Sequence, residues 1–156
     1  MPERETASRS RLPFTVVVLG LTSFFGDVGS EMIFPLLPGF LATLGAGATF
    51  LGLVEGIADA TASLLKLGSG YLADRASRRK PLVVLGYAIA ALSRPLMAAA
   101  TLPGHVLTVR VTDRVGKGIR TAPRDVLIAA AAAPGEAGRA FGFHRAMDHA
   151  GAVVGP

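Results

Sequence analysis

Arg110 to Asp125 reads RVTDRVGKGIRTAPRD, and what its charged side chains face decides the fold. At 100° per residue, Arg110, Asp113, Arg114, Lys117, Arg120, Arg124 and Asp125 fall within an arc of roughly 140°. Val111, Val115, Ile119 and Ala122 take the opposite arc. In isolation this is an amphipathic helix with a wet face. The chain on both sides is too apolar for that reading, so the charged face must look at something other than bulk water.

Composition agrees. The chain has 156 residues, 51% hydrophobic and 17% charged, with 19 Gly, 10 Pro and no Cys; its mean hydropathy is +0.49. Soluble domains carry nearer a quarter charged residues, whereas apolar runs rich in Gly and Pro are what transmembrane helices tolerate. The absence of Cys removes disulfides and thiolate metal sites. A net charge of +5 fits nucleic acid, anionic lipid or an anionic substrate, and the position of the charges chooses among them.

The polar start Met1 to Arg11 (MPERETASRSR) is a predicted cytoplasmic tail. A signal peptide is disfavoured, because the apolar stretch continues past Asp27 and Glu31 with no small-residue cleavage site. The rest, 12–156, is predicted as a partial bundle with helices over about 12–41, 49–73, 81–101, 105–131 and 139–156. Pro35 and Pro38 bend the end of the first helix. Glu55, Asp59 and Lys66 form one stripe, spanning roughly 40°, on the second. Arg94 interrupts the third, and Pro123 is expected to kink the fourth. Arg and Lys occur before the first helix and in the loops after the second and fourth, and the two intervening turns have none. That alternation places the N-terminus in the cytoplasm.

Fifteen charged residues fall inside these helices: Asp27, Glu31, Glu55, Asp59, Asp113, Asp125 and Asp148, with Lys66, Arg94, Arg110, Arg114, Lys117, Arg120, Arg124 and Arg145. Each costs roughly 2.5–3.5 kcal/mol at a lipid-exposed helix centre, so they must face a bundle interior or a wet cavity. Any single one reads most simply as a structural ion pair. As a set they imply a pathway, because small apolar packing faces would suffice for stability alone. Asp27, Glu31, Glu55 and Asp59 are the predicted partners of the Arg110–Asp125 face, together with Asp148. The first four are also candidates for loading protons. Arg110, Asp113, Arg114, Lys117, Arg120 and Arg124 are candidates for lining a cavity, and their excess of cations points to an anionic or zwitterionic solute.

Gly70 to Leu82 (GYLADRASRRKPL) resembles the loop signature G-x-L-A-D-R-x-G-R-K-x-x-L of the major facilitator superfamily, matching at Gly70, Leu72, Ala73, Asp74, Arg75, Arg78, Arg79 and Leu82. It departs at Ser77, where the family has Gly for a tight turn. Gly142, Gly151, Gly155 and Pro156 resemble the family's antiporter spacing G-x8-G-x3-G-P, although Gly151 and Gly155 alone are also a small-xxx-small packing face. Arg114 and Gly118 resemble its R-x-x-Q-G element, with Lys117 in place of Gln. The resemblance implies an all-α membrane protein, here the N-terminal part of a twelve-helix transporter ending in its fifth helix. It also implies Gly70, Asp74, Arg75, Arg78 and Arg79 as a conformational-gate loop. Arg78 lacks the family's acidic partner near the end of the fourth helix, a role open to Asp125 or Glu136.

The expected activity is proton-coupled export of a small organic solute by alternating access across the plasma (inner) membrane. The expected partners are the lipid bilayer, solute, protons and the remainder of the transporter beyond Pro156, with no nucleic acid, no cofactor and no metal. His144, Arg145, Asp148 and His149 cluster on the last helix, but two His and one Asp are an incomplete metal set. They read as cavity-lining groups. The alternative function is a membrane-embedded enzyme acting on a charged lipid or small molecule; the sequence shows no nucleophile–base pair for it. A soluble nucleic-acid binder rests on the isoelectric point alone.

Overall fold

Apolar runs become helices, and proline decides where they break. A computed structural model describes residues 11–75 and 78–156, except the side chains of Leu72 and Asp74. The predicted tail up to residue 10, the Asp74 side chain and Ser77 lie outside the described residues.

α1 spans Phe14–Glu31 and starts directly after Pro13. The predicted continuous helix over 12–41 is broken: a 3-10 turn, Phe34–Leu36, separates α1 from the short α2, Leu37–Thr43. Pro35 and Pro38 have no backbone N–H, so the α-helical ladder cannot pass through them intact. α2 closes with Gly45 at φ +78. Ala46 N–H bonds Leu41 O and Gly45 N–H bonds Ala42 O, the paired bonds of a Schellman cap.

α3 spans Ala48–Arg75. α4 spans Lys80–Ser93, and at Pro95 the chain tightens into a 3-10 segment, Arg94–Ala99. α5 runs Pro103–Ala131 and α6 runs Ala137–Val154. α5 begins two residues before its predicted start because Pro103 suits the first helical position, where its missing N–H has no intrahelical role. It continues uninterrupted through Pro123. Among the described residues three segments are long and apolar enough to cross a membrane: Phe14–Thr43, Ala48–Tyr71 and Lys80–Ala99. α5 and α6 carry too many charges to stand alone in lipid and are lodged against the others.

Contacts along the interfaces give the helix directions. Glu55 meets Arg110 and Asp59 meets Arg114, so α3 and α5 run parallel. Gly151 lies against Phe24 and Asp27, and Gly155 against Val28 and Glu31, so α1 and α6 are also parallel. Gly86 meets Gly116 while Arg94 meets Asp113, so α4 and α5 are antiparallel. The closest approaches are made by glycine. A Cβ on Gly116 would sit 2.5 Å from the Gly86 carbonyl oxygen, and one on Gly151 would sit 2.5 Å from that of Phe24. Small residues allow this where lipid offers no hydrophobic drive for helix association.

The core is layered. At one end Val16, Leu19, Val83, Ile128 and Ala140 pack with Tyr87, Leu127, Phe141 and Phe143. At the other, Leu37, Leu41, Ala100 and Val106 pack with Ile33, Phe40 and Met97. Val106 and Ile128 stand roughly 30 Å apart along α5 at 1.5 Å per residue, about the thickness of a bilayer core. The charges lie between these two apolar layers.

Candidate functional site

α5 is inverted relative to a soluble amphipathic helix: Arg110, Asp113, Arg120 and Arg124 are all buried. Its polar arc splits toward four neighbours. Toward α3, Arg110 donates through Nε to Glu55 Oε1 at 2.8 Å and through Nη2 to Oε2 at 2.7 Å. This bidentate fork is the strong form of the pair. Arg114 Nη2 lies 3.9 Å from Glu55, and its Nε lies 3.3 Å from Asp59 Oδ1, as an ion pair without hydrogen-bond alignment.

Toward α4, Asp113 Oδ1 accepts from Arg94 Nε at 2.9 Å. Arg120 stacks 4.0 Å above the Tyr87 ring, and no carboxylate among the described residues reaches it. The cation–π contact replaces part of its lost hydration. Toward α1 and α6, Lys117 Nζ lies 3.2 Å from Asp27 Oδ1. Arg124 forks onto its own neighbour Asp125 and reaches Asp148 at 3.9 Å.

Asp27, Glu55, Asp59 and Asp148 therefore stand against the Arg110–Asp125 face. Glu31 does not. It is half-buried where Gly155 of α6 crosses α1 and forms no ion pair among the described residues. It lies one turn along α1 from Asp27, the carboxylate that meets Lys117. Arg94, which interrupts the third predicted helix, is the partner of Asp113.

Of the predicted gate loop, Arg75 stacks on Tyr71 at 4.1 Å and Arg79 Nε donates to Ala73 O at 3.0 Å. Arg78 and Arg79 line a basic recess with Lys80, Pro81 and Leu127. Gly70 has open space where a Cβ would be. Of the substitute partners suggested for Arg78, Asp125 is engaged by Arg124, and Glu136 lies 3.7 Å from Arg139. In α6, Gly151 and Gly155 pack on α1, with Pro156 directly after them, while Gly142 has open space.

An open polar pocket of about 370 Å³ lies beside these pairs, lined by Asp59, Ala62, Ser63, Lys66, Arg114 and Lys117. Its walls carry three cations and one carboxylate. The Asp59 side chain is 69% exposed and that of Lys117 31%, so the pocket is open and its charges can be reached.

The structure also joins groups that sequence reasoning left apart. Ser23 Oγ lies 2.6 Å from Tyr87 Oη and 3.0 Å from His144 Nε2. His144 Nδ1 lies 3.6 Å from Asp148 Oδ2. A serine–histidine pair thus exists, contrary to the expectation of none. It is sealed, with Ser23 at 0% and His144 at 1% exposure, and the Ser23 hydroxyl is further engaged by Tyr87 and Arg124. No substrate carbonyl can approach such a hydroxyl. The i,i+4 spacing of Ser23 and Asp27 on one face of α1 was the signal available in the sequence. His144 and Asp148 share the same spacing; Arg145 and His149 beside them are exposed.

The family model for the Major Facilitator Superfamily matches residues 19–156. An uncharacterised MFS-type transporter of Methanocaldococcus jannaschii is 37% identical over 153 residues, 98% of this chain and 38% of that protein. An uncharacterised protein of Mycobacterium tuberculosis is 35% identical over 141 residues, 90% of this chain and 34% of its own length. The multidrug resistance protein MdtH of Photorhabdus laumondii is 31% identical over 129 residues, 82% of this chain and 32% of the relative. The chain spans about a third of the length of the curated relatives it matches.

Proposed function

Because the chain belongs to the major facilitator superfamily, we propose that it is the N-terminal part of a twelve-helix secondary transporter. The transporter sits in the inner membrane with its N-terminus cytoplasmic and exports a small anionic organic solute in exchange for protons. The pocket of Lys66, Arg114 and Lys117 carries this reading. Three reachable cations around one exposed carboxylate leave positive charge for an incoming anion. Arg114 is tethered by Glu55 and Asp59, so a solute carboxylate would bind by competing for a guanidinium that is already oriented. The name of the MdtH relative, a multidrug resistance protein, supports the export direction.

Proton coupling draws on two sets of carboxylates. Asp27, Glu55 and Asp59 hold cations of α5 and would release them on protonation. Glu31 holds no such cation among the described residues and would load a proton without breaking any of these pairs. Alternating access would rock this bundle against a second one around the pocket. The enzyme reading loses its footing with the Ser23–His144 pair closed to substrate.

The test is flux into vesicles of the full-length protein under an imposed pH gradient, using p-aminohippurate as an organic anion and ethidium as an organic cation. Gradient-driven anion movement is expected, with about tenfold weaker apparent affinity for Lys66→Gln, equivalent to ~1.4 kcal/mol. Movement of ethidium without p-aminohippurate would overturn the anionic assignment. No gradient-linked flux of either would overturn the coupling.

A further inference from the structure

The buried polar centre where α1, α4, α5 and α6 meet lies apart from the pocket of Lys66, Arg114 and Lys117, whose lining includes neither Ser23 nor His144. Its spine is the series Tyr87 Oη, Ser23 Oγ, His144 and Asp148, with separations of 2.6, 3.0 and 3.6 Å. Arg124 braces the spine, with Nη1 3.4 Å from Ser23 Oγ and 3.9 Å from Asp148 Oδ2.

Valence restricts what this series can do. A serine hydroxyl has one hydrogen and two lone pairs, and a guanidinium can only donate. Arg124 takes one lone pair, leaving one lone pair and one hydrogen to be divided between Tyr87 and His144. The series therefore has two directions. With a neutral imidazole carrying its hydrogen on Nδ1 toward Asp148, Ser23 donates to Nε2 and accepts from Tyr87. With a charged imidazole, Nε2–H donates to Ser23, whose own hydrogen turns to the Tyr87 oxygen. Both directions leave the serine fully bonded, and they differ by one proton on His144.

We infer that His144 is a proton-binding site, taking one proton at Nε2 with Asp148 as its counter-charge and Ser23 and Tyr87 as the hydrogen-bond switch that reverses with it. The groups facing it are Ser23 from α1, Tyr87 from α4, Arg124 and Asp125 from α5, and Asp148 and Arg145 from α6. Reversal reaches further than the imidazole. The Tyr87 hydroxyl must find a new acceptor, and the Tyr87 ring supports the otherwise unpaired Arg120. Protonation is thereby transmitted to α4 and α5.

Access to the proton is tied to helix movement. His144 is 1% exposed, and it is closed in by the α1–α6 seam, where Phe143 presses on Gly20 and Gly151 on Phe24. Water reaches the imidazole when that seam opens. The proton site stands on this geometry alone; its part in coupling rests on the transporter reading above.

Carbon-13 NMR of ring-labelled histidine in the full-length protein in detergent tests the site. The resonance that disappears in His144→Gln is expected to shift as a single protonation on acidification. In Ser23→Ala it is expected to show a changed tautomer signature. A His144 resonance unchanged from pH 5 to 9 would overturn the inference. Spin labels at Phe25→Cys on α1 and Val153→Cys on α6, both exposed, are expected to change separation with pH in the wild type but not in His144→Gln. A separation that responds to pH equally in both would overturn the switch. Gradient-driven p-aminohippurate flux left unchanged by His144→Gln would remove His144 from coupling and keep the transporter reading. A titrating His144 in a protein without any such flux would do the reverse.

Discussion

α5 meets its neighbours α3 and α4 in two different ways. Against α3 the contact is charge, with a fork from Arg110 to Glu55 and the looser tether of Arg114. Against α4 the closest contact is backbone, with Gly86 and Gly116 so near that neither has room for a methyl group, flanked by the Arg120–Tyr87 stack and by the Arg94–Asp113 pair at the end of α4. Ion pairs are directional and can be exchanged, since a solute or a proton can compete for either partner. Glycine contacts have no chemistry to exchange and hold two helices as a unit. The α3 seam is built mainly of charge, and the α4 seam is centred on glycine. Gly118 shows the boundary, lying against Leu65 and Ala62 of α3 just past the last ion pair.

The strongest way to break this comparison is at the fork. Glu55→Ala strands Arg110, whose side chain is 3% exposed. Removing one partner of a buried pair costs about 3–5 kcal/mol, so a large drop in Tm in detergent is expected. The double variant Glu55→Met with Arg110→Met should recover most of it. A single and a double variant of equal Tm would show that the fork is not what orders α3 on α5.

Next comes Gly116→Ala, which places a methyl group 2.5 Å from a carbonyl oxygen. Overpacking of this kind costs about 1–3 kcal/mol, read as a lower Tm with no change in pH response. Gly142→Ala, in open space, is the control and should leave Tm unaltered. The smallest effect is expected of Asp59→Asn. Its side chain is mostly exposed, where ion pairs contribute about 0–1 kcal/mol, so Tm should barely move. The pocket gains net positive charge, and p-aminohippurate should bind more tightly. Weaker anion binding in this variant would place the solute elsewhere.

The all-helical membrane architecture was readable because hydropathy and loop charge act locally, within one turn or one loop. The inward orientation of Arg110, Asp113 and Arg124 followed in the same way, since their spacing puts them on one arc and lipid forbids that arc. The pairings were less readable. Asp27 and Glu31 are equivalent by spacing, yet among the described residues only Asp27 finds a cation, Lys117 of α5, and the register of α5 against α1 is contained in no local pattern. The breaks near Pro35 and Pro95 have proline as their visible cause, but whether a helix bends or stops at proline depends on what packs around it. Ser23 and Tyr87 carry no charge, so a search for charged residues passed over them, and the cluster that held His144 gave no sign of its partners on α1 and α4.

By itself, then, the amino-acid sequence determined which side chains cannot face lipid, because that penalty is set residue by residue and read from periodicity. The tertiary structure alone decided which partner each one takes. Pairing depends on helix register to within an ångström or two, and here that register is held by glycine contacts between segments far apart in the chain. The same register left Arg120 on an aromatic ring and enclosed His144 between a serine and an aspartate.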